Sequence, residues 1–115
     1  MSKPVGPYTP IVRAGPWLVS SGQVGIADGA LVEGGVGPQF RQALANLRAL
    51  FEGEGSSLND ITKTTVFLTT MDHYGQMNEI YTEVFGDHRP ARSAVAVAQL
   101  PLGALVEIEA SAYIG

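Results

Sequence analysis

A strictly alternating stretch near the C-terminal end, Arg89 to Tyr113 (RPARSAVAVAQLPLGALVEIEASAY), constrains the fold more than any other part of the chain. Alternation at period two marks half-buried β-strands, because successive side chains point to opposite faces. In the first strand Arg92, Ala94, Ala96 and Ala98 share one face, and Ser93, Val95 and Val97 the other. Past the Pro101/Gly103 turn, Val106, Ile108, Ala110, Ala112 and Ile114 form an apolar face, with Glu107, Glu109, Ser111 and Tyr113 opposite. A sheet core accounts for the apolar set. It does not account for an arginine opening an alanine face, or for a glutamate inside an apolar strand. Paired as a hairpin with Ala98 opposite Leu105, the strands set Arg92 against Ser111. Glu107 then lies about 13 Å further along at ~3.3 Å per residue. A site using both residues is more easily assembled between chains than within one.

The length of 115 residues fits one domain, residues 1–115, with a single core of modest size. The chain is 45% hydrophobic and only 16% charged, which implies that other copies cover part of its apolar surface. A formal charge of −4 offers no electrostatic basis for binding nucleic acid or an anionic membrane. The absence of cysteine excludes disulfides, thiol catalysis and thiolate metal sites, and agrees with a reducing compartment. The proline-broken start MSKPVGPY has no signal-peptide core, and no apolar run reaches the ~20 residues of a membrane span. The expectation is a soluble, cytoplasmic protein.

Residues 1–10 read as an arm. Gly6-Pro7-Tyr8 is a stiff turn that holds an aromatic either over a pocket or against the edge of the core. Ile11 to Ala14 and Trp17 to Gly22 predict a hairpin around Gly15-Pro16, the second strand running on to Val24. Within it, Ser21-Gly22-Gln23 sets a hydroxyl and an amide beside a glycine where backbone can approach a ligand. Asp28-Gly29 is a two-residue hairpin signal leading into a short strand, Leu31 to Glu33. Phe40, Ala43, Leu44, Leu47, Leu50 and Phe51 then repeat at helical spacing, and Gly53 and Gly55 stop the helix. Ile61 to Thr70 is β-branched and predicts a strand. Asp72 is a plausible N-cap for a second helix, His73 to Phe85, whose apolar face carries Met77, Ile80, Tyr81, Val84 and Phe85 with Asn78 beside it. His73 and His88 have no partner at metal-ligand spacing, so no metal is expected. The order β-β-β-α-β-α-β-β predicts an α+β fold: a mixed sheet with a parallel pair flanking the second helix and both helices on one face. The other face is left for self-association.

In order and in detail these residues resemble the RidA (YjgF-like) reactive-intermediate deaminase family over nearly the whole chain. The likeness rests on Gly6-Pro7-Tyr8, Ser20-Ser21-Gly22-Gln23, Asp60-Ile61-Thr62-Lys63-Thr64-Thr65-Val66-Phe67-Leu68, and Asn78 with Tyr81 and Phe85. It closes with Arg89-Pro90-Ala91-Arg92-Ser93 and Glu107-Ile108-Glu109-Ala110. The resemblance implies a chorismate-mutase-like fold, a homotrimeric barrel with clefts between subunits, and no cofactor. It implies hydrolysis of 2-imino acids, including the tautomer of 2-aminoacrylate, to 2-keto acids and ammonia. Arg92 corresponds to the arginine that binds the substrate carboxylate, and Glu107 to the glutamate that orders the attacking water. Tyr8, Ser21 and Asn78 correspond to cleft-lining residues. Many members carry a cysteine where this chain has Ala94, so a backbone contact survives there and thiol chemistry does not.

The residue types suit that chemistry. A guanidinium grips a planar carboxylate through two parallel hydrogen bonds, and a neighbouring carboxylate can align a water and take its proton. Two other readings compete: an endoribonuclease, which the acidic balance and the lack of a histidine pair oppose, and a non-catalytic trimer that binds small carboxylates or protein clients.

Overall fold

A computed structural model describes Pro4 and residues 6–115. Its elements are β1 (Ile11–Ala14), β2 (Trp17–Ser20), β3 (Gln23–Val24), β4 (Ile26–Ala27), β5 (Ala30–Leu31), α1 (Val36–Gly53), β6 (Ile61–Leu68), α2 (Tyr74–Phe85), β7 (Ala91–Ala96) and β8 (Val106–Tyr113). The main sheet runs β1-β2-β8-β6-β7, with β3 also on β8, and β4 and β5 form a separate small hairpin. The β6–β7 pair is parallel across the α2 crossover, as expected, and the other pairs are antiparallel.

The burial pattern follows the sequence pattern. Phe40, Ala43, Leu44, Leu47, Leu50 and Phe51 of α1 are all buried, and so are Val106, Ile108, Ala110 and Ala112 of β8. Each of the leucine, isoleucine, valine and phenylalanine side chains among them contributes roughly 1.5–3 kcal/mol on leaving water, and each alanine methyl less. The helices and one sheet face enclose this single core. In β6 the register shifts between Ile61 and Lys63, an irregularity that lets Ile61 and Thr64 both face the core despite their odd spacing. The opposite sheet face is open and exposes Val12, Trp17, Val19, Val95 and Tyr113.

Four expectations are corrected. Strands β7 and β8 do not form a hairpin, because β6 lies between them and pairs with both. The connection crosses the end of β6, held by Val97 N donating to Leu68 O (2.8 Å) and Thr69 N donating to Leu105 O (3.3 Å). The strand predicted to run from Trp17 to Val24 is broken after Ser20, where Ser21 N turns to donate to Pro10 O at 2.8 Å. The short strand after Asp28-Gly29 is Ala30–Leu31, and the turn holds Asp28 at φ 54° and Gly29 at φ 83°, the left-handed pair such a tight hairpin requires. The residue that caps the second helical segment is Thr70, whose Oγ1 accepts from Asp72 N at 3.2 Å. A single 3-10 turn, Met71–His73, then leads into α2.

Candidate active site

Arg92 sits on the second residue of β7, an edge strand, and its side chain lies under α2. The register pairs Thr64 with both Arg92 and Ala110, so Arg92 shares the helix-side face. There it is half-buried among three side chains of one helical stripe, Tyr74, Met77 and Tyr81. Its Nη2 donates to the Tyr74 hydroxyl at 3.2 Å and its Nη1 to Met77 Sδ at 3.6 Å. The guanidinium carbon lies 4.9 Å from the Tyr81 ring centroid and 5.7 Å from that of Tyr74, within the range of cation–π attraction. Tyr81 is held in turn by a 2.8 Å hydrogen bond between its hydroxyl and that of buried Thr64. Burial pushes the Tyr81 phenol up, while the Thr64 bond and the nearby Arg92 and Arg89 pull the other way. Among the described residues the one ion pair is Arg41–Glu83 on the helix surface. Arg92 therefore faces its surroundings without a carboxylate of its own.

Asn78 belongs to the same helical stripe, one turn from Tyr74. Its Oδ1 is buried and among the described residues has no hydrogen-bond partner, a costly state for an amide oxygen unless something arrives to donate to it. Ala94 lies two residues past Arg92 on the same face, paired with Val66.

Glu107 occupies the other side of the sheet. It pairs with Phe67 of β6 and with Val24 of β3, so its carboxylate projects from the open face at the end of β8. Gly22 packs directly on it: any side chain at position 22 would collide with the Glu107 carboxylate. The alternation could not separate Glu107 from Glu109, which share a face two residues apart. The structure separates them, Glu107 being half-buried and Glu109, opposite Thr65, exposed. Burial pushes the Glu107 carboxyl above the usual carboxylate range, and the like charge of Glu109 adds to the shift. Ser21 stands next to this spot with its Oγ donating to Thr9 O at 2.7 Å, which ties the N-terminal arm to the segment holding Gly22. Tyr8 lies on that arm, 44% exposed, after a turn in which its N–H donates to Gly6 O.

The residues singled out in the sequence thus fall into two groups. Arg92, Ala94 and Asn78 gather on the helix side of the β7 edge. Glu107, Gly22 and Ser21, with the arm carrying Tyr8, gather on the open face. The two groups lie on opposite faces of the sheet, Arg92 paired with Thr64 and Glu107 with Phe67. Tyr74 was missed in the sequence, although its spacing of three, four and seven residues from Met77, Asn78 and Tyr81 was the available signal. Among the described residues no group of three His, Cys, Asp or Glu side chains converges as a metal site. His88 bonds the Ile61 carbonyl through Nε2 at 2.8 Å. No helix among the described residues is long and apolar enough to cross a membrane.

Comparison with known proteins gives this geometry a context. The family model described as Endoribonuclease L-PSP matches residues 1–114. A RutC family protein of Pyrococcus horikoshii is 47% identical over 96% of this chain and 90% of its own. The 2-iminobutanoate/2-iminopropanoate deaminase of Mus musculus is 44% identical over 96% of this chain and 84% of its own. Among solved structures, that of E. coli TdcF with bound serine superposes with a TM-score of 0.92 at 36% identity, covering 97% of this chain and 91% of that one. The family therefore includes proteins named as imine deaminases and proteins named as endoribonucleases, and on the extent of these matches the chain belongs to it, the RidA (YjgF-like) family.

Proposed function

We propose that the protein hydrolyses 2-imino acids, and the 2-enamino acids that tautomerise to them, to 2-keto acids and ammonia. It does so without a cofactor, in the cytoplasm, at sites shared between the subunits of a homotrimer. The observation that carries this reading is the half-buried Arg92 guanidinium, cradled by Tyr74 and Tyr81 and lacking a carboxylate partner among the described residues. Such a group is built to receive a planar carboxylate from outside. The serine bound in the E. coli relative is a small molecule of that class.

In the proposed reaction the carboxylate docks on Arg92, which fixes the position of C2. Water adds to C2 as Glu107, ionised, takes a water proton and returns it to the departing nitrogen. This addition gives a carbinolamine, whose hydroxyl proton Glu107 next takes and passes to the nitrogen as the C2–N bond breaks, releasing ammonia and leaving the keto group. Asn78 Oδ1 accepts a hydrogen bond from the substrate nitrogen, which removes its lack of a partner. Ser21 and the arm carrying Tyr8 border the Glu107 side of the cleft, and Ala94 offers its backbone. A raised Glu107 pKa brings this base nearer to working pH, where proton transfer is most effective. Because Arg92 and Glu107 lie on opposite faces of one sheet, the cleft must draw on two copies. The open face, with Val12, Val19 and Val95 exposed, offers apolar surface for that association.

The endoribonuclease reading rests on the description of the family model. The net charge of −4 weighs against it, since RNA affinity comes chiefly from neutralising phosphates.

The test is a coupled assay. An amino-acid oxidase generates the imine, semicarbazide traps it, and the protein is expected to lower the yield of semicarbazone. An unchanged yield over a range of imino acids overturns the reading. Light scattering accompanies it, with an expected mass about three times the 12.1 kDa chain.

A further inference from the structure

We propose that the Tyr74 hydroxyl is an additional substrate-binding group, donating a third hydrogen bond to the carboxylate oxygen that Arg92 Nη2 holds; this rests on reading Arg92 as the carboxylate grip. Tyr74 opens α2 and is 41% exposed, with its hydroxyl oxygen 3.2 Å from Arg92 Nη2. A guanidinium has no acceptor, so that bond runs from the N–H to the phenol oxygen. The phenol O–H is left over, and among the described residues it makes no other hydrogen bond. A carboxylate oxygen that accepts from Nη2 sits at about 2.8 Å from it, beside the Tyr74 hydroxyl and within reach of its proton.

Tyr81 makes the contrast. Its ring also lies by the guanidinium, but it is buried and its hydroxyl is occupied by Thr64. The two tyrosines thus divide the work: Tyr81 positions Arg92 from below, and Tyr74 faces the cleft with a donor to spare. A bond to the non-reacting carboxylate is the same in the ground state and in the transition state. Its loss therefore weakens binding and leaves turnover unchanged.

The test is Tyr74→Phe, which keeps the ring beside Arg92 and removes only the hydroxyl. The probe is 2-oxobutanoate, titrated calorimetrically against wild type and variant. The dissociation constant is expected to rise about tenfold, equivalent to about 1.4 kcal/mol. KM for imine hydrolysis should rise by a similar factor, with kcat within twofold and the unfolding midpoint unmoved. Unchanged affinity overturns the inference. So does tighter binding, which would mean that the hydroxyl competes with the carboxylate for Nη2, and so does a loss of kcat at constant KM. If the keto acid binds and Tyr74→Phe weakens it, yet no imine is hydrolysed, Tyr74 keeps its assignment and the proposed reaction fails. If the wild type does not bind the keto acid, both readings fall.

Discussion

Gly22→Ala probes the placement of Glu107 without touching its chemistry. A Cβ at position 22 would stand 2.6 Å from Glu107 Cδ and 3.0 Å from Cγ, whereas carbon atoms in ordinary contact lie about 3.5–4.0 Å apart. The carboxylate must therefore retreat by about 1 Å, which a glutamate on an open sheet face achieves by leaving its rotamer. That costs about 0.5–1.5 kcal/mol, offset by about 0.4–1 kcal/mol from the lower entropy of the unfolded alanine chain. Net stability should change by less than about 1 kcal/mol. The effect on catalysis is larger, because misplacing a reacting group by about 1 Å costs on the order of 10²-fold. That corresponds to about 2.7 kcal/mol of barrier. The semicarbazide competition assay, run beside a thermal melt, should show kcat falling about a hundredfold with KM for the imino acid nearly unchanged. A variant that melts like wild type and keeps kcat within threefold would refute the reasoning, because the carboxylate beside Gly22 would then not be the group that directs the water.

Arg92→Lys should lose at least tenfold in kcat/KM despite keeping its charge, since an ammonium cannot form the two parallel bonds of a guanidinium; steady-state kinetics and keto-acid titration check this together. Glu107→Gln should cut kcat by 10²-fold or more, the usual worth of a general base, whereas Glu109→Gln, exposed and across from Thr65, should change it less than threefold. The wild-type rate should fall as pH drops through the raised Glu107 pKa, at a pH above the usual glutamate range, because the base must be ionised. The same shift sets the sign for stability. A carboxyl whose pKa rises on folding destabilises the protein increasingly as pH climbs from the ordinary glutamate range through the raised value. Glu107→Gln should therefore melt higher than wild type at neutral pH, and the gain should vanish in acid.

What was legible in the sequence was whatever periodicity encodes. The α1 stripe from Phe40 to Phe51, the Asp28-Gly29 turn and the parallel step across α2 all appear where residue pattern set them. The two faces of β7 and β8 also came from alternation alone. Strand adjacency did not, because alternation is silent about which neighbour a strand chooses. A hairpin of β7 with β8 satisfied the same pattern as the observed insertion of β6 between them. That order decides the functional argument, since reading across β6 puts Arg92 and Glu107 on opposite faces. The expectation of a site shared between chains was first drawn from a distance along a hairpin that does not exist. The proposal rests instead on the opposite faces that Arg92 and Glu107 occupy. Alternation was equally silent between Glu107 and Glu109; the family resemblance picks Glu107, and it is on that carboxylate that Gly22, 85 residues away in sequence, packs.

Mixing two inactive variants tests the shared cleft most directly. Arg92→Ala and Glu107→Gln are each purified, then unfolded and refolded together so that subunits exchange, and the mixture is assayed for imine hydrolysis. If each cleft takes Arg92 from one copy and Glu107 from another, some clefts in mixed oligomers recover both intact residues, and activity should reappear at a sizeable fraction of wild type while each variant refolded alone stays inactive. If both residues of a cleft came from one chain, every cleft would carry a lesion. A mixed population, shown by mass spectrometry to contain both variants in one oligomer, that remained inactive would contradict the account.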